Sequence, residues 1–125
     1  VGEQLEEREA DKTEEVIRTQ VEDFSAEVEY SRVEEIVIAY EPVWAIGTGK
    51  TASPDQVVEV HKLIRRIWKE KYTQEMADGL QILYGGSVKP ENSDDLLGEE
   101  EIDGALIGGA SLSKDKFLKI ISSAT

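Results

Sequence analysis

The chain has 125 residues, of which 14 are basic and 27 acidic, and its net charge is −13. This length suits one compact domain, and a hydrophobic content of 39% favours a folded chain over a disordered one. The negative charge disfavours nucleic acid and anionic membranes as partners, and no apolar stretch approaches the ~20 residues of a membrane span. Because the chain has no cysteine, disulfides, cysteine-ligated zinc and a thiol nucleophile are excluded.

The N-terminus shows no basic segment followed by an apolar one, which is the mark of a secretory signal. We therefore expect a cytoplasmic protein. The first residue is Val1 rather than methionine, which leaves open whether the chain is a complete product.

The first predicted elements are the end of a strand and an amphipathic helix. Residues 1–3 are too few for a whole strand and resemble the end of one. Asp11 with Glu14 three residues later resembles a capping box, which predicts that a helix begins there. The apolar face of this helix recurs at helical spacing: Ile17, Val21, Phe24 and Val28.

A strand, a loop and a second helix follow. Residues 36–40 form an apolar run too short for a helix, which is typical of a parallel strand buried on both faces. Residues 42–52 contain three Gly or Pro residues and no helical period, so we expect a loop. Ser53, Pro54 and Gln56 predict the capped start of a helix. Its buried stripe is Val57, Val60, Ile64, Ile67 and Trp68.

The rest of the chain repeats the alternation. We predict a strand at 80–84, a short helix at 91–97 that Gly98 ends, and a strand at 105–107. A last helix should begin near Ser113 and use Phe117, Ile120 and Ile121 as its apolar face. This order predicts an α/β fold with a parallel sheet. Three strands cannot close a barrel, so the chain is either a small open sheet or half of something larger.

Glycine-rich segments follow two of the predicted strands. In parallel α/β folds, ligands bind beyond the carboxyl ends of the strands. Gly85, Gly86 and Ser87 follow the second strand, and Gly108 with Gly109 follows the third. Converging backbone N–H groups bind anions, so these segments together predict a phosphate pocket. The alternative is that the glycines only make tight turns.

Glu41 is the candidate base because it follows the apolar strand directly. A carboxylate held among apolar residues is a stronger base than one in water. The alternative is an ordinary solvated glutamate at a strand end. Trp44, in the next loop, either anchors a moving segment or merely packs.

Two other candidates are weaker. Residues 47–51 resemble part of a nucleotide-binding P-loop, but Trp44 stands where that motif requires its first glycine. His61 lies on the apolar stripe of its helix, away from the strand ends, and we expect it to be a packed structural histidine. No group of His, Asp or Glu residues has metal-ligand spacing, so we expect no metal.

Several segments resemble the triosephosphate isomerase family. Residues 39–50, with the sequence AYEPVWAIGTGK, resemble that family's signature around its catalytic glutamate and closing loop. Residues 84–88 resemble the family's next loop, and residues 103–112 resemble its last. Residues 1–3, with residues 5–8, resemble the end of its fifth strand and the segment that follows it. The resemblance implies the (β/α)8 TIM barrel fold, of which residues 1–125 would be the C-terminal half, from the end of strand 5 through helix 8.

By resemblance the reaction would be the glycolytic and gluconeogenic interconversion of dihydroxyacetone phosphate and glyceraldehyde 3-phosphate, without a cofactor. Glu41 would be the catalytic base. The substrate phosphate would be held by backbone N–H groups of Gly47, Ser87, Gly108 and Gly109. The closing lid would comprise Pro42, Val43, Trp44, Ala45, Ile46, Thr48, Gly49, Lys50, Thr51 and Ala52 together with Gly47.

The resemblance also implies that the site is incomplete. The family takes a lysine, an asparagine and a histidine from strands that this chain does not match, and Lys50 and His61 are at the wrong positions to replace them. We therefore expect the isolated chain to be inactive or very weakly active. Family members of full length form homodimers, whereas this chain is expected either to self-associate or to need its missing half. The alternative function is a non-catalytic phosphate-binding or assembly half-barrel.

Overall fold

The computed structural model describes residues 1–124. Its helices and strands are α1 (Leu5–Glu9), α2 (Thr13–Ala26), β1 (Val37–Tyr40), α3 (Pro54–Lys71), α4 (Gln74–Gly79), β2 (Gln81–Tyr84), α5 (Ser93–Leu97), β3 (Gly104–Ala105) and α6 (Lys114–Ser123). Short 3-10 turns lie at Tyr30–Glu35, Val43–Ala45 and Gly109–Leu112. Within residues 1–124, none of the helices has the length and apolar character to cross a membrane.

The strands form one parallel sheet in the order β1-β2-β3, which confirms the predicted α/β fold. Residues 1–3 run alongside β1 as the predicted strand end. The Val1 nitrogen donates to the Ala39 carbonyl at 2.8 Å, and the Glu41 amide donates to the Val1 carbonyl at 2.7 Å. The Val43 amide then donates to the Glu3 carbonyl at 3.0 Å. This alternation is the hydrogen-bond pattern of neighbouring parallel strands.

Helix α3 contributes seven buried residues, and its start was predicted correctly. The Ser53 hydroxyl accepts the Gln56 amide at 3.3 Å, and the Gln56 side chain accepts the Ser53 amide at 2.9 Å. Every residue of the predicted stripe is buried, and the same core contains buried side chains from both longer strands. Those strand residues are Ile38, Tyr40, Ile82 and Tyr84.

The other face of the sheet is open, so the prediction of a strand buried on both faces is wrong. Val37 is 51% exposed and Gln81 is also exposed, although each begins a strand. Side chains alternate between the faces of a strand, which places Ala39 and Leu83 on this open face as well. No element among residues 1–124 covers it.

The start of the second helix also differs from the prediction. Asp11 has a φ of 58° and lies in the turn between α1 and α2, so its side chain does not cap α2. Lys12 occupies the cap position, and Val28 lies beyond the helix end. Helices α1 and α4 were not predicted. The hydroxyl of Thr73 caps α4 by accepting the Met76 amide at 3.2 Å.

The last βα unit is less covered than the sequence predicted. Strand β3 begins one residue earlier than expected, and the Leu106 amide still donates to the Tyr84 carbonyl at 2.9 Å. On α6 the predicted apolar face is only partly buried. Ile120 is in the core, whereas Phe117 is 37% exposed and Ile121 is 45% exposed.

Candidate active site

A cavity of about 430 Å³ lies beyond the carboxyl ends of the strands. Both glycine-rich segments and the predicted lid loop line it, and they contribute Gly47, Ser87, Gly108 and Gly109. The structure therefore brings the four predicted phosphate-binding residues to one place. Their backbone N–H groups come from three different loops, which is the arrangement that lets several amides converge on one anion.

Glu41 lies beside this cavity, next to Gly85. A Cβ atom at Gly85 would lie 3.0 Å from Oε1 of Glu41, 3.1 Å from its Cδ and still closer to its Cγ. Gly85 itself lines the cavity, and its amide donates to the Tyr40 carbonyl at 2.8 Å. The Glu41 carboxylate thus lies against a glycine that lines the cavity, although Glu41 itself is not a lining residue.

The expectation that apolar surroundings bury this carboxylate is wrong for the described chain. Glu41 is exposed. It follows Tyr40, which is buried among the helices, so strand alternation directs Glu41 to the open face with Val37 and Ala39. Its exposure has the same cause as theirs, since nothing in residues 1–124 covers that face.

The predicted lid, residues 42–52, has buried ends and an exposed middle. Trp44, Ala45 and Ala52 are buried, whereas residues 46–51 are exposed. Gly47 and Gly49 have φ angles of 66° and 80°, a left-handed conformation that glycine adopts without steric cost. Such a segment can change its conformation in the middle while its ends stay fixed.

A buried carboxylate anchors the beginning of this loop, and sequence reasoning missed it. Glu3 has no exposed surface and accepts three donors. The Tyr40 hydroxyl donates to both of its carboxylate oxygens at 3.1 Å, the Trp44 indole N–H donates at 3.1 Å, and Arg8 donates at 2.8 Å. The guanidinium of Arg8 also lies 5.5 Å from the centre of the Trp44 ring. Trp44 is therefore held in place by both packing and a hydrogen bond, which is compatible with either of the two roles left open by the sequence.

Burial and the charge of Glu3 together raise the pKa of Tyr40, which stays a neutral hydrogen-bond donor. The signal that could have found this cluster is the pair Tyr40 and Trp44, because buried tyrosine and tryptophan usually need a partner for their polar atom.

The far end of the loop meets the second strand at Tyr84. The Tyr84 hydroxyl is buried and makes no hydrogen bond of good geometry among the described residues. Burial raises the pKa of Tyr84, and the nearby backbone amide of Ala52 opposes this rise. A Cβ atom at Gly86 would overlap the Tyr84 hydroxyl, so glycine is required there for the tyrosine to keep its position.

His61 is a packed residue, as the sequence predicted. It is fully buried on α3, its Nδ1 lies 2.9 Å from the Glu101 carbonyl, and its ring meets the Tyr40 ring edge-on at 5.9 Å. Burial lowers the pKa of His61 to about 4, partly offset by the Glu101 contact. Lys50 is exposed in the lid, and residues 1–124 contain no group of three side chains able to hold a metal ion.

Comparison with known proteins identifies the family. A family model described as triosephosphate isomerase matches residues 1–124. The chain belongs to the triosephosphate isomerase family. Its relatives include triosephosphate isomerases of Geobacter metallireducens, 54% identical over 98% of this chain, of Borrelia duttonii, 55% over 98%, and of Fusobacterium nucleatum, 50% over 97%.

The chain spans about half the length of these triosephosphate isomerases: 49% of the first, 48% of the second and 48% of the third. The family match, together with the parallel sheet, confirms the predicted fold class, a partial TIM barrel. Half-length coverage also agrees with the open face of the sheet, since a closed barrel has no such face.

Proposed function

We propose that this chain carries the catalytic base and the phosphate site of an enzyme that interconverts dihydroxyacetone phosphate and glyceraldehyde 3-phosphate. The observation that carries the proposal is the position of Glu41. Its side chain lies against Gly85, and Gly85 lines the same cavity as Gly47, Ser87, Gly108 and Gly109. A base and an anion site side by side are what the isomerisation of a small phosphorylated sugar requires.

The proposed chemistry is a proton transfer between two neighbouring carbons. The Glu41 carboxylate removes a proton from the carbon next to the substrate carbonyl, which leaves an enediolate. The proton is then delivered to the former carbonyl carbon, while the hydroxyl proton of the first carbon passes to the former carbonyl oxygen, so that carbonyl and hydroxyl exchange places. The backbone N–H groups of the glycine loops donate to the phosphate oxygens and fix the distance from phosphate to base. Closure of residues 42–52 over the substrate excludes water from the enediolate.

The second half of a barrel would supply what this chain lacks. The enediolate oxygen needs cationic or hydrogen-bonding groups, and the family resemblance places a lysine and a histidine for this role outside the matched segments. We propose that the complementary half packs on the open sheet face and on the exposed side of α6, where Phe117, Leu118 and Ile121 lie. A homodimer of such complete barrels, in the cytoplasm, is part of the same proposal.

The second candidate is a half-barrel that binds phosphate but does not turn over substrate. The open face beside Glu41 favours it, because an exposed carboxylate has neither the apolar surroundings nor the electrophilic partner of an efficient base.

Complementation separates the two candidates. The chain is purified alone and also together with the N-terminal half of the Geobacter metallireducens relative, and the conversion of glyceraldehyde 3-phosphate is followed in both samples. We expect turnover only when both halves are present. Failure of a stable, folded complex of the two halves to turn over substrate would favour the non-catalytic half-barrel.

A further inference from the structure

Two lysines line the cavity beside the glycine loops. Lys116 comes from the first turn of α6, and Lys89 comes from the loop after β2. Neither forms an ion pair with a described residue, whereas the neighbouring Lys119 lies 3.5 Å from a carboxylate oxygen of Asp94. Among the described residues that line the cavity, Glu91 is the one carboxylate.

These two lysines carry positive charge in a molecule that is strongly acidic overall. The chain carries a net charge of −13, so its overall field repels an anionic ligand. Backbone amides orient a phosphate, but they add no net charge to oppose this repulsion. Two ammonium groups against one carboxylate give the cavity lining a net positive charge, which offsets the Glu41 carboxylate beside the cavity and favours the binding of an anion.

We propose that Lys116, assisted by Lys89, is a determinant of anion affinity at this cavity, which draws a phosphate dianion to the amides of Gly108 and Gly109. The inference rests on the phosphate site of the proposed function and adds to it the positive charges of Lys116 and Lys89 in the cavity lining. Lys116 is exposed, so its effect is screened by salt. It acts on binding of the phosphate group and not on the carbons that exchange the proton.

Inorganic phosphate is the probe that tests this inference on the chain as it exists. Its binding is followed through the NMR amide signals of Gly108 and Gly109, at low and at high salt. We expect Lys116→Gln to weaken phosphate binding about 3- to 10-fold at low salt, and the difference to shrink at high salt. Glu91→Gln should change the affinity in the opposite direction, because it removes the negative charge from the cavity.

The matched control is Lys114→Gln. Lys114 also lies in the first turn of α6 and its replacement changes the net charge equally, but it does not line the cavity. We expect Lys114→Gln to bind phosphate nearly as the unchanged chain does. Equal affinities of the Lys116 and Lys114 variants, with normal shifts of both glycine signals, would overturn the inference and leave the proposed phosphate site standing. Absence of any phosphate-dependent shift in the unchanged chain would contradict the proposed site and this inference together.

Discussion

The side chain of Glu41 occupies the space into which a Cβ atom at Gly85 would project. The two residues directly follow neighbouring parallel strands, so the glycine after one strand determines where the carboxylate after the other can lie. Gly2, on the other side of β1, approaches just as closely, since a Cβ atom there would overlap the Glu41 carbonyl. The backbone and the side chain of Glu41 are thus each confined by a glycine of an adjacent strand.

Gly85→Ala should therefore displace the Glu41 carboxylate. In the complemented two-half enzyme we expect kcat to fall about 10- to 100-fold, because small misplacements of a reacting group are costly. Gly79→Ala is the control, since a Cβ atom there meets nothing within 4 Å. Steady-state kinetics of both variants check the prediction, and an unchanged kcat for Gly85→Ala would show that the contact does not position the base.

Glu3→Gln should destabilise the fold strongly. The substitution removes the charge that Arg8 faces in a buried site, which we expect to cost about 3 kcal/mol of unfolding free energy. Glu70→Gln is the control, because the Glu70–Arg18 pair is equally short at 2.7 Å but Glu70 is 51% exposed, so little change is expected. Urea denaturation measures both. Equal losses in the two variants would contradict the idea that burial gives the Glu3 cluster its stabilising effect.

Trp44→Phe tests the role of the same cluster in the loop. The phenylalanine keeps most of the packing but loses the indole N–H that donates to Glu3, for a loss of about 1 kcal/mol of stability. We expect faster amide hydrogen exchange in residues 43–52, and unchanged exchange in α3. If the amides of this loop exchange as slowly in the variant as in the unchanged chain, the Trp44–Glu3 hydrogen bond does not anchor the loop.

The burial of His61, which lowers its pKa, predicts that the free energy of unfolding depends on pH. In the unfolded chain His61 takes up a proton near pH 6.5, but in the folded chain only near pH 4. The unfolded state binds more protons between these values, so stability should fall as the pH drops through this window and level off below it. The loss due to His61 is at most about 3 kcal/mol.

His61→Gln isolates this contribution, because the acidic residues titrate alike in both proteins. The stability difference between the unchanged chain and the variant, followed by urea denaturation from pH 7 to pH 4, should move in favour of the variant as the pH falls. A difference that stays constant over this range would show that His61 is not held neutral by burial.

Much of this architecture could be predicted from local sequence patterns. The capping residues and apolar stripe of α3 lie close together in the chain, and so do the two glycine-rich strand ends. Because parallel strands place their carboxyl ends at one edge, the order of elements predicted that Ser87 and Gly108 would line one cavity, and the family resemblance added Gly47.

What the sequence could not predict depends on distant or external partners. Glu3 meets Tyr40 and Trp44 across 37 and 41 positions of the chain, and although those two residues need a polar partner, no local pattern identifies Glu3 as that partner. The exposure of Glu41 and Val37 depends on which elements cover the sheet, and none of the described ones does. Helix α1 is only five residues long, too short to show a helical period.

The central claim is that the Glu41 carboxylate moves the proton. Its most direct test is kcat of Glu41→Gln in the complemented enzyme, compared with Glu34→Gln, which removes the same charge from an exposed position ahead of β1. We predict that Glu41→Gln lowers kcat about 10²- to 10⁴-fold while Glu34→Gln leaves it unchanged. A Glu41→Gln variant that keeps the kcat of the unchanged enzyme would contradict the account.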